Sequence, residues 1–371
     1  MSYEIKKKYD DFIVIEIPNA NIKIEDTQES PNKITQSKKG LIALMIKKDI
    51  DFYKAKHHLE NYAKFTFNGI KDKTALTYQL IEINKILKPI QEDNLIEIKS
   101  PKQVEKLLDF MQKKQEHIEL EDLYIPEKNI AIIPLFYAQN KVFPGNLEKN
   151  YFIINLYSDD EIKIEQNQEN KKTQDFTFIN YFDKQRFGKN NLEISKLILK
   201  KQFNKVIEKL KEEYNFLENT NDLNKIRDVL KIILNSYQSY IFNKTISEYI
   251  KQNYPKNLKK ITILDEEYFI SNEIDQKEFP LIGFDSRKEI LNKKYEDIIY
   301  DLIEKDKITF RDLIIRELRN LSMDHSFRNS KVTTSLKIQR DNNKYTFQFF
   351  IEKGSYATML IKQYYELNKD D

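Results

Sequence analysis

The chain has 371 residues, more than one ordinary domain needs and comfortable for two. Hydrophobic residues make up 40% and aromatics 12%, enough for sizeable cores, which argues against global disorder despite 33% charged residues. Cysteine is absent and the net charge is only +3. This excludes disulfides, thiolate zinc sites and cysteine nucleophiles, and confines any nucleic-acid binding to local patches. The lack of cysteine fits a reducing cytoplasm, the expected location. No apolar run follows Met1 in "MSYEIKKKYDD", so no signal peptide is expected, and "IAIIPLFYA" at 130–138 is far too short to span a bilayer.

In chain order, "DFIVIEI" (11–17), "GLIALMI" (40–46) and "LTYQLIEI" (76–83) read as strands. Between the last two, "DFYKAKHHLENYAKF" (51–65) reads as an amphipathic helix. Asn68-Gly69 is a strong turn signal, and just after it Asp72 stands between Lys71 and Lys73 at the mouth of a strand. Ser100 and Pro101 open a second helix. "NIAIIPLFY" and "NYFIINLY" are strand-like again, and the polar stretch 161–175 marks a domain boundary. Helical patterns fill about 190–255 and 287–322, and "KYTFQFFI" and "SYATMLIKQYY" return to strand character. The expectation is an α+β mixed-sheet domain of 1–175 and 320–371, interrupted by a largely helical insertion of 176–319, with the last strands rejoining the first sheet.

Four separated stretches carry a resemblance. They are "NGIKDKTALTYQ" (68–79), "GNLEKNYFIINL" (145–156), "FINYFDKQRFG" (178–188) and "KGSYATMLIKQ" (353–363). In this order they resemble the motifs of the TruD family of tRNA pseudouridine synthases. Weaker echoes are "KKKYDDFIVIE" and "SYQSYIFN" (236–243). The chain departs from the family pattern at four places. Lys149 and Asp183 replace glycines, Glu352 replaces a proline, and Lys362-Gln363 stands for Arg-Glu.

The resemblance implies a pseudouridine synthase catalytic domain with a TruD-type insertion. It would act on the uridine at position 13 of certain tRNAs, with no metal or cofactor and no membrane association. Such a reaction breaks the N1–C1′ bond of uridine, turns the base and joins C5 to C1′. It calls for one carboxylate near C1′ and C6. By resemblance that carboxylate is Asp72, and Lys6 is its partner, by spacing from Phe12. The run of lysines at 6–8 leaves a one-residue slip open. Opposite charges beside a carboxylate favour its ionised form.

The target base must leave the RNA stack for a pocket with an aromatic face. By resemblance Phe152 stacks on the uracil and Asn150 hydrogen-bonds near the aspartate. Phe12, Asn180, Arg186 and Tyr356 complete the implied substrate-binding set. Read alone, Phe152 is an inward residue of an alternating strand, and "KGSYAT" a strand lining the pocket. The aromatic–basic mixture of "NYFDKQRFGK" suits RNA contact as well as a solvated loop.

His57 and His58 are adjacent and cannot share a metal from one helix, and His117 and His325 are isolated. Lys47, Lys48, Lys54, Lys56 and Lys64 could form a phosphate-facing stripe or a solvated face. The rival to catalysis is a non-catalytic RNA-binding or RNA-chaperone protein on the same fold.

Overall fold

The computed structural model describes residues 3–18, 41–67, 71–88, 102–137, 147–164, 173–213, 222–256, 258–286 and 292–369. The Asn68-Gly69 turn and the Ser100-Pro101 helix start lie outside them. The chain divides into two compact units, Met1–Phe176 with Thr334–Gly354 and Asp370–Asp371, and Thr177–Thr333 with Ser355–Lys369. Relative to the sequence division, residues 320–333 and 355–369 thus group with the second unit.

The first unit runs β1 (Tyr3–Ile5), β2 (Phe12–Pro18), β3 (Leu41–Lys48), α1 (Phe52–Glu60), β4 (Ala63–Phe67), β5 (Leu76–Ile86), α2 (Lys102–Lys113), β6 (Ile130–Tyr137) and β7 (Leu147–Ser158). β8 (Gln174–Ile179) carries the chain into the second unit. There follow α3 (Lys184–Phe187), α4 (Asn191–Leu199), α5 (Phe203–Glu213), α6 (Arg227–Asn253), β9 (Lys259–Ile263), β10 (Glu266–Ile270), β11 (Glu278–Leu281), α7 (Lys293–Lys305), β12 (Ile314–Ile315), β13 (Leu321–Ser322) and β14 (Ser326–Asn329). β15 (Lys331–Asp341) and β16 (Lys344–Glu352) return to the sheet, and α8 (Ala357–Asn368) closes the second unit.

The sheet order is β6-β3-β5-β2-β7-β16-β15-β8, with β1 paired to β7 and β4 to β5. β2 runs parallel to β5 and antiparallel to β7, so the sheet is mixed and the late strands rejoin it. Every residue of β2, "FIVIEIP", is buried. A strand covered on both faces favours just such a β-branched run. On one face, Val104, Leu107, Leu108, Phe110 and Met111 of α2 recur at helical spacing and pack on Ile13, Ile15, Tyr78, Tyr151 and Ile153. On the other face, Ala55 and Leu59 of α1 cover Leu41, Ala43, Met45, Ile81 and Ile130.

Three expectations need correction. The first helix stops at Glu60, because "AKFTF" alternates at period two and pairs with β5 as β4. Among its described residues, the block at 287–322 holds one α-helix, α7, followed by short 3-10 turns and the two-residue strands β12 and β13. "SYATMLIKQYY" is no strand: Ala357, Leu360, Ile361, Tyr364 and Tyr365 are buried at spacings of three and four, which only the helix α8 satisfies. Its β-branched and aromatic content misleads.

The second unit centres on α6, whose buried residues include Leu230, Ile233, Leu234, Tyr237, Ile241, Phe242, Ile246 and Ile250. Small antiparallel pairs, β9–β10, β11–β14 and β12–β13, accompany the helices.

Candidate active site

The register of β2, β7 and β16 decides which side chains share a face. Val14 lies opposite Phe152, Glu16 opposite Asn150, and Phe349 opposite Phe152. Directly opposed residues point the same way, so Phe12, Glu16, Asn150, Phe152 and Phe349 line the face turned away from α2. Phe152 meets Phe12 edge-on with ring centroids 5.9 Å apart and stacks on Phe349 at 5.6 Å. It is 8% exposed against 1% for Phe349, so Phe152 is mostly packed yet keeps an accessible edge.

Asp72 sits in irregular chain just ahead of β5. Its Oδ1 accepts the Thr74 N–H at 3.2 Å, an Asx turn. Its Oδ2 pairs with the Lys6 ammonium. Lys6 has φ of 62°, a left-handed conformation costly for a residue with a Cβ. Its Nζ also lies 4.1 Å from the Phe12 ring centroid. Lys7 turns elsewhere, to Glu4 at 3.0 Å.

The segment carrying Lys6 is fastened by Asp11. That buried carboxylate accepts Lys8 N at 2.9 Å, Asn155 Nδ2 at 3.0 Å and the Tyr157 hydroxyl at 2.8 Å. Lys47, fully buried, donates to the carbonyls of Asp72 and Ile50. Burial pushes the Lys47 ammonium down to about 8, against the pull of Asp72, Asp51 and Asp49.

The lysines flanking Asp72 do not touch its carboxylate. Lys73 is exposed. Lys71 lies 2.7 Å from Glu16 Oε1 and donates to Asn150 Oδ1 at 2.9 Å. Burial pushes the Glu16 carboxyl above its ordinary value, and the Lys71 cation works against that rise. With Oδ1 held by Lys71, the Asn150 Nδ2 donors have no acceptor among the described residues.

The structure therefore brings Lys6, Phe12, Asp72, Asn150 and Phe152 together in the first unit. Asn180, Arg186 and Tyr356 belong to the second unit, where they gather around Phe182. Arg186 and Arg328 lie 5.4 and 4.1 Å from the Phe182 ring centroid, and Tyr356 meets the ring edge-on at 5.9 Å. Asn243 clamps the Phe182 backbone through two hydrogen bonds, at 2.9 and 2.8 Å. Gly188 ends α3 at φ of 56°, where a Cβ would fall 2.7 Å from Asn191 Nδ2. Tyr356 is the residue before α8, which corrects the strand expected there.

A family model described as tRNA pseudouridine synthase D (TruD) matches residues 1–231 and 206–364. The chain belongs to the TruD family. Among curated TruD relatives, the probable tRNA pseudouridine synthase D of Nanoarchaeum equitans is 27% identical, over 96% of this chain and 97% of its own length. A second such protein, from Methanocaldococcus jannaschii, is 26% identical over 97% and 91%. The fold is similar to a crystal structure provisionally assigned as TruD from Methanosarcina mazei. There the TM-score is 0.54 and the identity 18%, with 98% of this chain and 94% of that one covered.

The departures from the TruD pattern fall into two spatial pairs. Lys149 lies directly opposite Glu352 in the β7–β16 ladder. Asp183 forms an ion pair with Lys362 at 2.8 Å. The second pair sets opposite charges against one another, while the Lys149 ammonium lies 4.4 Å from the Phe350 ring centroid.

Sequence reasoning did not single out Glu16 or Arg328, and it placed Lys71 only as a flank of Asp72 and Lys47 only in a lysine stripe. The available signal for Glu16 was a lone carboxylate inside an apolar strand. The proposed lysine stripe does not form on one helix: Lys47 and Lys48 lie in β3 and Lys64 in β4, while Lys54 and Lys56 are on α1. No group of three His, Asp or Glu able to hold a metal occurs among the described residues. No described helix is long and apolar enough to cross a membrane.

Proposed function

We propose that this protein converts uridine to pseudouridine at position 13 of tRNA, with Asp72 as the reacting carboxylate. The observation that carries the reading is the meeting of Asp72 with Lys6 beside Phe152 and Asn150 in a TruD-family chain. Phe152 offers a ring edge to the extruded uracil, and Asn150 Nδ2 is free to donate to a uracil carbonyl. Asp72 attacks the nucleoside or takes a proton from it. The N1–C1′ bond breaks, the base turns, C5 joins C1′, and the C5 proton is lost while N1 gains one. No atom is added overall.

The test incubates the purified protein with unmodified tRNAs carrying uridine at position 13, and maps pseudouridine by carbodiimide labelling and primer extension. A stop at that uridine made by the native protein and absent with Asp72→Asn supports the assignment. Tight RNA binding with no product on any tRNA would move the reading to a non-catalytic RNA-binding protein.

A further inference from the structure

Around Phe182 the second unit holds two cations that lack a counter-ion. Arg328 spends its Nε and Nη2 on Asn180, with contacts of 3.2 Å to the carbonyl oxygen and 2.7 Å to Oδ1. Arg186 spends its Nε on Ser239 Oγ at 3.0 Å. A guanidinium has five N–H donors. Nη1 of Arg328 and both terminal nitrogens of Arg186 therefore have no protein acceptor among the described residues, and no carboxylate there pairs with either side chain. Asp183, three residues before Arg186, is committed to Lys362, Thr358 and the Lys184 N–H.

Burial pushes both guanidinium groups down, Arg328 to about 10. The Tyr356 phenol pulls the other way, while Arg186 adds to the fall at Arg328. Two half-buried like charges held around one ring cost free energy in the unliganded protein. An anion between them would offset that cost. The choice of residue is telling as well, since only eight of the 62 basic residues are arginine. A planar fork suits phosphate oxygens in a way an ammonium does not.

We propose that Arg186 and Arg328 form a binding site for a backbone phosphodiester of the RNA, with the Tyr356 hydroxyl as a third donor. The proposal rests on the tRNA reading above for the source of the phosphate. Arg328 is new to the interface, and Asn180 becomes its positioning residue rather than an RNA contact.

The experiment measures tRNA affinity of the full-length protein over a range of salt, for the native chain, Arg328→Gln, Arg186→Gln, Arg328→Lys and the exposed α5 control Lys205→Gln. Each glutamine variant should weaken binding about tenfold near 0.1 M salt and lower the slope of log Kd against log salt by about one. Arg328→Lys should restore the slope and only part of the affinity. Lys205→Gln should match the native chain. Should Arg328→Gln fail to fold, Arg186→Gln, which gives up one hydrogen bond to Ser239, carries the same test. Native affinity and slope in the glutamine variants, with tRNA still bound and modified by the native chain, would overturn this site alone. A native chain that binds no tRNA would overturn both readings. A melting shift from inorganic phosphate, lost in Arg328→Gln without any change in the tRNA slope, would assign the site to a small free anion and overturn the RNA contact.

Discussion

The ammonium of Lys6 meets the carboxylate of Asp72 across 66 residues of sequence, from a backbone held at positive φ. The Asp11 network that fastens this segment to β7 keeps the cation in place. Lys6→Met removes the charge and keeps most of the length. The single-turnover rate on tRNA should fall about 100-fold, the usual scale for losing one electrostatic partner at a reacting group, while tRNA affinity stays within a few-fold. Lys6→Arg should recover part of the rate. A Lys6→Met protein with the native rate would remove Lys6 from the chemistry.

Phe152 touches Phe12 and Phe349, so truncation to alanine would mix loss of packing with loss of a stacking surface. Phe152→Leu separates the two, since it keeps volume and discards the ring. It should lower the single-turnover rate at least tenfold, with stability reduced by about 1 kcal/mol. Phe349→Leu, one strand further on and buried, should cost similar stability with little change in rate. Equal rate losses in both variants would mark Phe152 as core.

Glu16 and Lys71 form a nearly inaccessible pair that also holds the Asn150 amide. Removing one partner of such a pair leaves a buried charge unmatched, at a cost of about 3–5 kcal/mol. Glu16→Gln should therefore melt lower than the native protein. At temperatures where it is folded it should show a reduced kcat, because Lys71 is released from Asn150. The double variant Glu16→Gln with Lys71→Met should recover stability without recovering rate. Recovery of both would make the pair a packing feature alone.

How much of this was visible in the sequence depends on the range of the interaction. Asp72, Asn150 and Phe152 lie in short motifs whose spacing is kept along the chain, and β2, β3, β5 and β7 announce themselves by local patterns. Glu16, in β2, and Lys71, in the irregular chain ahead of β5, meet only in the folded protein, a tertiary fact with no local trace. Arg328 reaches Asn180 between the ends of β14 and β8, again at long range. α8 was misread for a different reason. Its two tyrosines, Thr358 and Ile361 carry β propensity, yet the burial of Ala357, Leu360, Ile361, Tyr364 and Tyr365 at spacings of three and four residues decided for a helix. The two pairs of family departures were likewise legible as single residues and became meaningful only as neighbours.

Lys47 gives the stability a pH signature. Its ammonium is held near 8 in the folded protein, against 10.5 for an ordinary lysine, because burial disfavours the charge. Between those values the unfolded chain binds more protons, so folding stability rises with pH there. Below about 8 the burial cost is present in full. Against Lys47→Met, which lacks this titration, the native protein should gain on the order of 3 kcal/mol from pH 8 to pH 10.5. Chemical denaturation of both proteins at several pH values reads the difference. A constant gap across that window would show that Lys47 keeps an ordinary ammonium.

Asp183 and Lys362 supply the opposite limb. Burial pushes the Asp183 carboxyl up, but the Lys362 ammonium, the Thr358 hydroxyl and the Lys184 N–H outweigh it and hold the carboxyl below the ordinary 3.8. A depressed carboxyl contributes stability that is present above the unfolded value and disappears as pH falls through the folded one. Asp183→Asn should melt lower than the native protein at neutral pH, by an amount corresponding to about 3–5 kcal/mol, since Lys362 is left buried without its partner. The gap should narrow once pH drops below about 4, where the carboxyl of the unfolded chain begins to protonate while the native one still holds its charge. Asp183→Asn combined with Lys362→Met should regain most of the neutral-pH loss, because no unpaired charge remains. Parallel melting curves for the native protein and Asp183→Asn from pH 3 to 7 would show that the pair, although 2.8 Å apart, contributes nothing to folding.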